Sequence, residues 1–238
     1  MSSATVAPKV CVVTGVGPGT GRAIVERFAA GGYQVAMLAR NSERLASFEA
    51  DLDGAFAYPC DVTDHDALAG TLADIRDRLG VPTVVIHNAV GGAFGSFQEI
   101  DPAVLEQNFR VNTMALLHLA RLVVEDMVEM GGGAILATGN TSAYRGKGQF
   151  AGFAPTKAAQ RILVESIARD AGPRGVHAAY VAIDAVIDLP WTRKRWKDAP
   201  DDFFCQPADI AGECFHVAHQ PRSAWSNEIV IRPFGETW

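Results

Sequence analysis

Thr14-Gly15-Val16-Gly17-Pro18-Gly19-Thr20-Gly21 follows a short apolar run, Val10 to Val13, and leads at once into Arg22-Ala23-Ile24-Val25, where a helix is expected. Glycines at alternate positions let the chain turn tightly from strand to helix. They also let backbone N–H groups close on a pyrophosphate at the positive end of that helix. A glycine-rich turn by itself also serves plain tight turns. Here it sits at the first strand-to-helix junction, the context that dinucleotide binding requires.

Outward from this turn, short apolar runs alternate with longer amphipathic ones. Val10 to Val13, Gln34 to Ala39, Ala55 to Tyr58, Thr83 to His87, Ala134 to Thr138, His177 to Ile183 and Glu228 to Ile231 read as strands. Their near-continuous apolar character predicts burial on both faces. Gly21 to Ala30, Asp64 to Leu79, Pro102 to Met130 and Pro155 to Ala171 read as helices, with Asp101-Pro102 a clear start signal. The alternation predicts a doubly wound, Rossmann-type α/β domain: one mainly parallel seven-stranded sheet with helices on both faces, over residues 1–238. In such a sheet ligands bind beyond the carboxyl ends of the strands.

Composition agrees. The 238 residues are 48% hydrophobic and 20% charged, as in an ordinary globular domain. A net charge of -6 argues against nucleic acid as a partner. The start, MSSATVAPKV, lacks the basic and apolar pattern of a secretory signal, no segment reads as a membrane span, and cytoplasm is the expected location. Cys11, Cys60, Cys205 and Cys214 form no CxxC pair and read as reduced, mostly packed thiols.

Thr14-Gly15, three residues, then Gly19-x-Gly21 resembles the glycine pattern of the short-chain dehydrogenase/reductase family, and the resemblance continues over nearly the whole chain. The family places the cofactor's phosphates against this turn, here Thr14, Gly15, Gly17, Gly19, Thr20 and Gly21. Asp61-Val62 after the third strand matches the family's adenine contact, and Asn88-Ala89 after the fourth resembles its Asn-Ala segment. Asn112 matches the family's structural and catalytic asparagine, and Lys157 its catalytic lysine, which also holds the nicotinamide ribose. At the end of the second strand, NAD-preferring proteins usually carry an acid for the ribose 2′-hydroxyl. This chain reads Leu38-Ala39-Arg40-Asn41, and Arg40 is suited to a 2′-phosphate, so NADP(H) is favoured over NAD(H).

The other end of the cofactor site departs from the family. The family's tyrosine, four residues before the lysine, is Phe153 here, and its serine, thirteen residues earlier, is Asn140. A phenyl ring has no proton to give. The alternative tyrosine of enoyl reductases, seven before the lysine, falls on Phe150. After the sixth strand the backbone of Ile187 is expected to face the nicotinamide, but Leu189 replaces a hydroxyl-bearing residue. Three substitutes for the missing acid present themselves: Tyr144, which reads equally as a packing residue; a hydroxyl beside it; or a water held by Lys157 and Asn112. Asn140 reads either as an orienting group for a substrate carbonyl or as a local turn residue.

The leading expectation is an NADP(H)-dependent oxidoreductase acting on a carbonyl or conjugated double bond of a small molecule. The alternatives are a nucleotide-binding sensor or partner subunit and a non-redox lyase or isomerase. Trp191-Thr192-Arg193-Lys194-Arg195-Trp196-Lys197 falls where the fold carries a substrate lid, expected over residues 188–206, and reads equally as a solvated helix face. His216 and His219 lack a third metal ligand, and no metal site is expected. Leu116, Leu117, Leu122, Ile162 and Leu163 exceed what one buried face needs, which with the family resemblance predicts a homodimer or homotetramer.

Overall fold

The computed structural model describes residues 9–236, so the reading of the leader at residues 1–8 lies outside the described residues. In chain order the elements are β1 (Lys9–Thr14), α1 (Thr20–Ala30), β2 (Tyr33–Ala39), α2 (Ser42–Asp51), β3 (Ala55–Pro59), α3 (His65–Arg78), β4 (Pro82–His87), α4 (Pro102–Phe109), α5 (Ala115–Glu129) and β5 (Gly133–Asn140). They continue with α6 (Ala154–Ala171), β6 (Val176–Ile183), β7 (Val186–Ile187), α7 (Pro190–Arg195), β8 (Phe204–Cys205), α8 (Pro207–Ala218) and β9 (Glu228–Ile231). The seven expected strands form one sheet in the order β3-β2-β1-β4-β5-β6-β9, every neighbouring pair parallel.

Alternation along each strand divides the apolar side chains between two cores. Val10 and Val12 of β1 face one layer with Leu68, Leu72, Leu116, Leu119 and Val164 of α3, α5 and α6. Cys11 and Val13 face the other with Ile24, Phe28, Leu45, Ile210 and Cys214 of α1, α2 and α8. Covering on both faces is why these strands read as continuous apolar runs. Cys11, Cys60 and Cys214 are buried, Cys205 half-buried, and all four are free thiols.

The expected helix Pro102–Met130 is one rod interrupted. Asp101 caps α4 through a bond from the Ala103 N–H, 2.9 Å, but Arg110–Met114 form a π turn before α5 resumes. A π turn inserts a residue and re-aims the side chains around it, and its buried member is Asn112. Periodicity over a window cannot detect one extra residue. Among the described residues no helix is long and apolar enough to cross a membrane.

The strand order reverses between β1 and β4, and their carboxyl ends open on a cleft of about 1040 Å³. Its walls come from the loops after β1, β2, β3, β4 and β5, the start of α6 and the segment leading into α7.

Candidate active site

The floor of the cleft is the glycine turn. Gly15 has φ +70°, a conformation glycine adopts without strain, and a Cβ there would lie 2.4 Å from the backbone of Ala89. Its N–H donates to Leu38 O at 2.8 Å, tying the turn to β2. A Cβ on Gly21 would lie 2.8 Å from Gly15 O, whereas one on Gly17 would meet nothing within 4 Å, so Gly17 leaves the floor open. No side chain caps the start of α1 at Gly19, and the positive end of that helix faces the cleft. This cradle suits a pyrophosphate.

Thr14 works behind the turn. Its hydroxyl lies 3.0 Å from His87 Nδ1, and His87 Nε2 lies 3.0 Å from the carbonyl of Val111 in the π turn. A carbonyl accepts only, so Nε2 carries the proton and Nδ1 accepts from Thr14. Burial, with Lys157 adding repulsion, lowers His87 to about 3, which keeps it neutral. Asn88 continues the brace: its Nδ2 donates to Gly15 O at 3.0 Å and its Oδ1 accepts from Thr138 Oγ1 at 2.9 Å. The ends of β1, β4 and β5 are thereby locked together.

At one end of the cleft lie Arg40, Asn41 and Asp61, with Val62 beside them. Arg44, which the reading missed, joins them from the first turn of α2. Its signal was its place four residues after Arg40, bracketing a helix start. Asn41 Oδ1 accepts from the Arg44 N–H at 2.8 Å and so caps α2. Asp61 Oδ1 accepts from the N–H and hydroxyl of Thr63, at 3.0 and 2.8 Å, which fixes its carboxylate.

At the other end lie Lys157, Phe153 and Asn140, with Ala89, Ile187 and Leu189 along the wall. Phe153 is 7% exposed and precedes α6; Lys157 Nζ stands 5.8 Å from its ring centroid. Lys157 is 2% exposed, and burial lowers its ammonium from 10.5 to about 7. Nζ donates to Thr138 O at 3.3 Å and to Gln160 Oε1 at 2.9 Å. Gln160, fully buried, also donates from Nε2 to the main-chain carbonyl of Asn112 at 2.8 Å.

Three expectations change here. Tyr144 does not line the cleft. Its ring packs on the α3/α5/α6 core beneath the Arg161 guanidinium, 5.0 Å away. Its hydroxyl is buried without a hydrogen bond of good geometry, and that burial, aided by Glu228, pushes it well above the tyrosine range. The loop after β5 turns immediately: Asn140 Oδ1 accepts from the Ser142 N–H at 3.1 Å, a 3₁₀ turn follows, and Tyr144 is carried away. Asn140 makes this turn bond and also lines the cleft. The Asn112 side chain is fully engaged with Gly91 N and O and with Thr156 Oγ1, at 2.8 to 2.9 Å, and does not line the cleft. The place where Lys157 and Asn112 were expected to share a water is filled by Gln160.

The lid segment forms α7 and the small β7–β8 ladder. Leu189 packs onto the glycine turn, within 2.3 Å of where a Gly19 Cβ would stand. Arg193 pairs with both Asp188 oxygens at 2.7 Å and with Asp201 at 2.6 Å, so it stiffens the segment. Trp191 lines the cleft and is 62% exposed, while the remaining cations of the cluster lie outside it. His219 contacts the Tyr33 hydroxyl and the Phe215 carbonyl, at 2.9 and 2.7 Å. Among the described residues no group of three His, Cys, Asp or Glu could hold a metal ion. Of the apolar residues expected at an interface, Leu116 is core, Leu122 and Leu163 pack against the core, and Ile162 is 52% exposed.

Comparisons with known proteins agree with this architecture. The chain is 29% identical over 241 residues to the 7alpha-hydroxysteroid dehydrogenase of Escherichia coli K12, covering 95% of this chain and 93% of that one. A short-chain dehydrogenase from Rhodopseudomonas palustris is 28% identical with TM-score 0.82, covering 95% and 99% of the two chains. The NADPH-bound short chain oxidoreductase of Pseudomonas aeruginosa PAO1, described as containing an atypical catalytic center, shares the fold with TM-score 0.87 at 22% identity, covering 96% of both chains. Residues 9–198 match the short chain dehydrogenase family, and the chain belongs to it.

Proposed function

We propose that this protein is an NADP(H)-dependent oxidoreductase with an atypical active site, reducing a carbonyl or conjugated double bond of a small molecule. The observation that carries the proposal is the pairing of ends in one cleft: a glycine cradle with Arg40 and Arg44 at one end, and the buried Lys157 at the other. The open floor at Gly17 and the uncapped start of α1 fit a pyrophosphate, and the two arginines fit a 2′-phosphate where no acid stands. When bound, the reduced nicotinamide supplies a hydride to the acceptor carbon. Leu189 and Trp191 line the cleft, and the exposed Val90 and Trp191 at its rim suit an apolar substrate body.

Phe153 favours a second reading, a nucleotide-binding sensor without hydride chemistry, since a phenyl ring donates no proton. Fluorescence titration with NADPH and NADH, then a screen for NADPH consumption against carbonyls and enones, separates the two. Tighter binding of NADPH with consumption supports the reductase; binding with no consumption supports the sensor. A homodimer or homotetramer is proposed from the family and the exposed Ile162, and a monomer mass by light scattering would refute it.

A further inference from the structure

Gln160 stands one turn after Lys157 on α6, with none of its surface exposed. Its amide joins groups from two elements, accepting from Lys157 Nζ at 2.9 Å and donating to the Asn112 carbonyl at 2.8 Å. A carboxamide supplies one acceptor and one donor face, so it satisfies an ammonium and a carbonyl that an apolar side chain would leave unpaired.

The arrangement has two consequences for protons. A carboxamide has no dissociable proton near neutral pH, so the direct line from Lys157 to the Asn112 carbonyl is not a proton path. The ammonium carries three N–H bonds. Thr138 O and Gln160 Oε1 take two, which leaves one for the cleft that Lys157 lines beside the Phe153 ring, and a donor role gives that one to the substrate oxygen rather than to the ribose that the resembled family's lysine holds.

Other polar side chains lining the cleft are amides and hydroxyls rather than acids near neutral pH: Thr138 Oγ1 donates to Asn88 Oδ1, Asn108 Nδ2 donates to Gly152 O, and Asn140 Oδ1 accepts from Ser142 N. Of the ionisable side chains among the described residues lining the cleft, Arg40, Arg44, Cys60 and Asp61 belong to the far end. Lys157 remains.

We propose that Lys157 is itself the proton donor of the reaction, and that Gln160 is the positioning residue that holds its ammonium toward the cleft. The proposal rests on the reductase reading and deepens it. Hydride addition to a carbonyl carbon moves the C=O π pair onto oxygen. That oxygen takes a proton from Lys157 Nζ: an O–H bond forms, an N–H bond breaks, and its pair stays on nitrogen. The substrate gains two electrons from the nicotinamide cofactor, and the neutral amine is reprotonated from solvent through the open cleft. Burial holds the lysine near neutrality, where an ammonium is acidic enough to serve.

Two measurements test this. Lys157 Nζ is titrated by heteronuclear NMR in the cofactor-free protein, and kcat for reduction is followed from about pH 5 to about pH 10. Both are repeated in Gln160→Leu, which removes the acceptor, and in Gln160→Glu, which sets a carboxylate beside the ammonium. The NMR midpoint is expected to fall in the first and rise in the second. The pH at which kcat begins to decline should move with it, and kcat should then drop about tenfold per pH unit. If Gln160→Leu does not fold, Gln160→Glu and Gln160→Met carry the same comparison. Midpoints that move while the kcat profile stays fixed overturn Lys157 as donor. Midpoints that stay fixed in every variant overturn the role of Gln160. A parent that binds NADPH and reduces nothing overturns the donor assignment through failure of the reductase reading, and the NMR arm, which needs no turnover, then decides the role of Gln160 alone.

Discussion

The two ends of the cleft are built on different physical terms. At the Arg40 end, recognition comes from backbone geometry and exposed side chains: a glycine turn, two helix starts and two arginines in contact with water. At the Lys157 end it comes from a buried polar network in which Lys157, Gln160, Asn112 and Thr156 satisfy one another across α6 and the π turn. The first end tolerates change one residue at a time, because each contact is local and solvent covers the loss. The second does not, because each buried group left unpaired carries a desolvation penalty of about 1–3 kcal/mol. The buried lysine beside Phe153 therefore needs other partners. Gln160 and the Thr138 carbonyl are those partners.

The comparison breaks most sharply at Lys157. Lys157→Met should lower turnover by about 10²- to 10⁴-fold, the loss expected for a general acid, and single-turnover kinetics would check it. Retained turnover would mean that the buried end carries no chemistry. At the exposed end, Arg40→Ala combined with Arg44→Ala should cost about ten- to a hundredfold in NADPH affinity and leave NADH affinity within about twofold. Dissociation constants from fluorescence titration decide it, and equal losses for both nucleotides would remove the 2′-phosphate assignment.

The same Lys157→Met variant sharpens the contrast through stability. Above the unfolded lysine's 10.5 both states are neutral and the buried amine pays no charge penalty. As pH falls from there to about 7 the unfolded state takes up a proton that the folded state does not, so the parent loses stability; below about 7 the loss is constant. The variant should gain stability relative to the parent by about 2–5 kcal/mol between pH 11 and pH 6, as read from urea unfolding at each pH. A difference independent of pH would mean that the lysine is not desolvated. The smallest effect is expected from Tyr144→Phe, which should leave turnover within about twofold, because the hydroxyl lies in the core and away from the cleft. A hundredfold fall would return the proton to Tyr144.

What was legible in the sequence was whatever depends on near neighbours. The strands from β1 to β6 and β9 follow from apolar runs, and their assignment matches the sheet to within two residues at each end. Asp101 with Pro102 announced α4, and the glycine spacing announced the floor of the cleft. Arg40 was singled out by its place at the end of the second strand, and Asp61, Asn88 and Lys157 by the family resemblance; all four line the cleft. Tertiary structure decided the rest, because those contacts join residues far apart in the chain. Gln160 reaches the Asn112 carbonyl 48 positions away, and Asn112 is aimed at Thr156 by a π turn that adds one residue to an otherwise regular helix. Tyr144 is only four residues past Asn140, yet a single 3₁₀ turn removes it from the site. The direction of a side chain depends on backbone turns and on partners that fold beside it, and neither is written in the residues next to it.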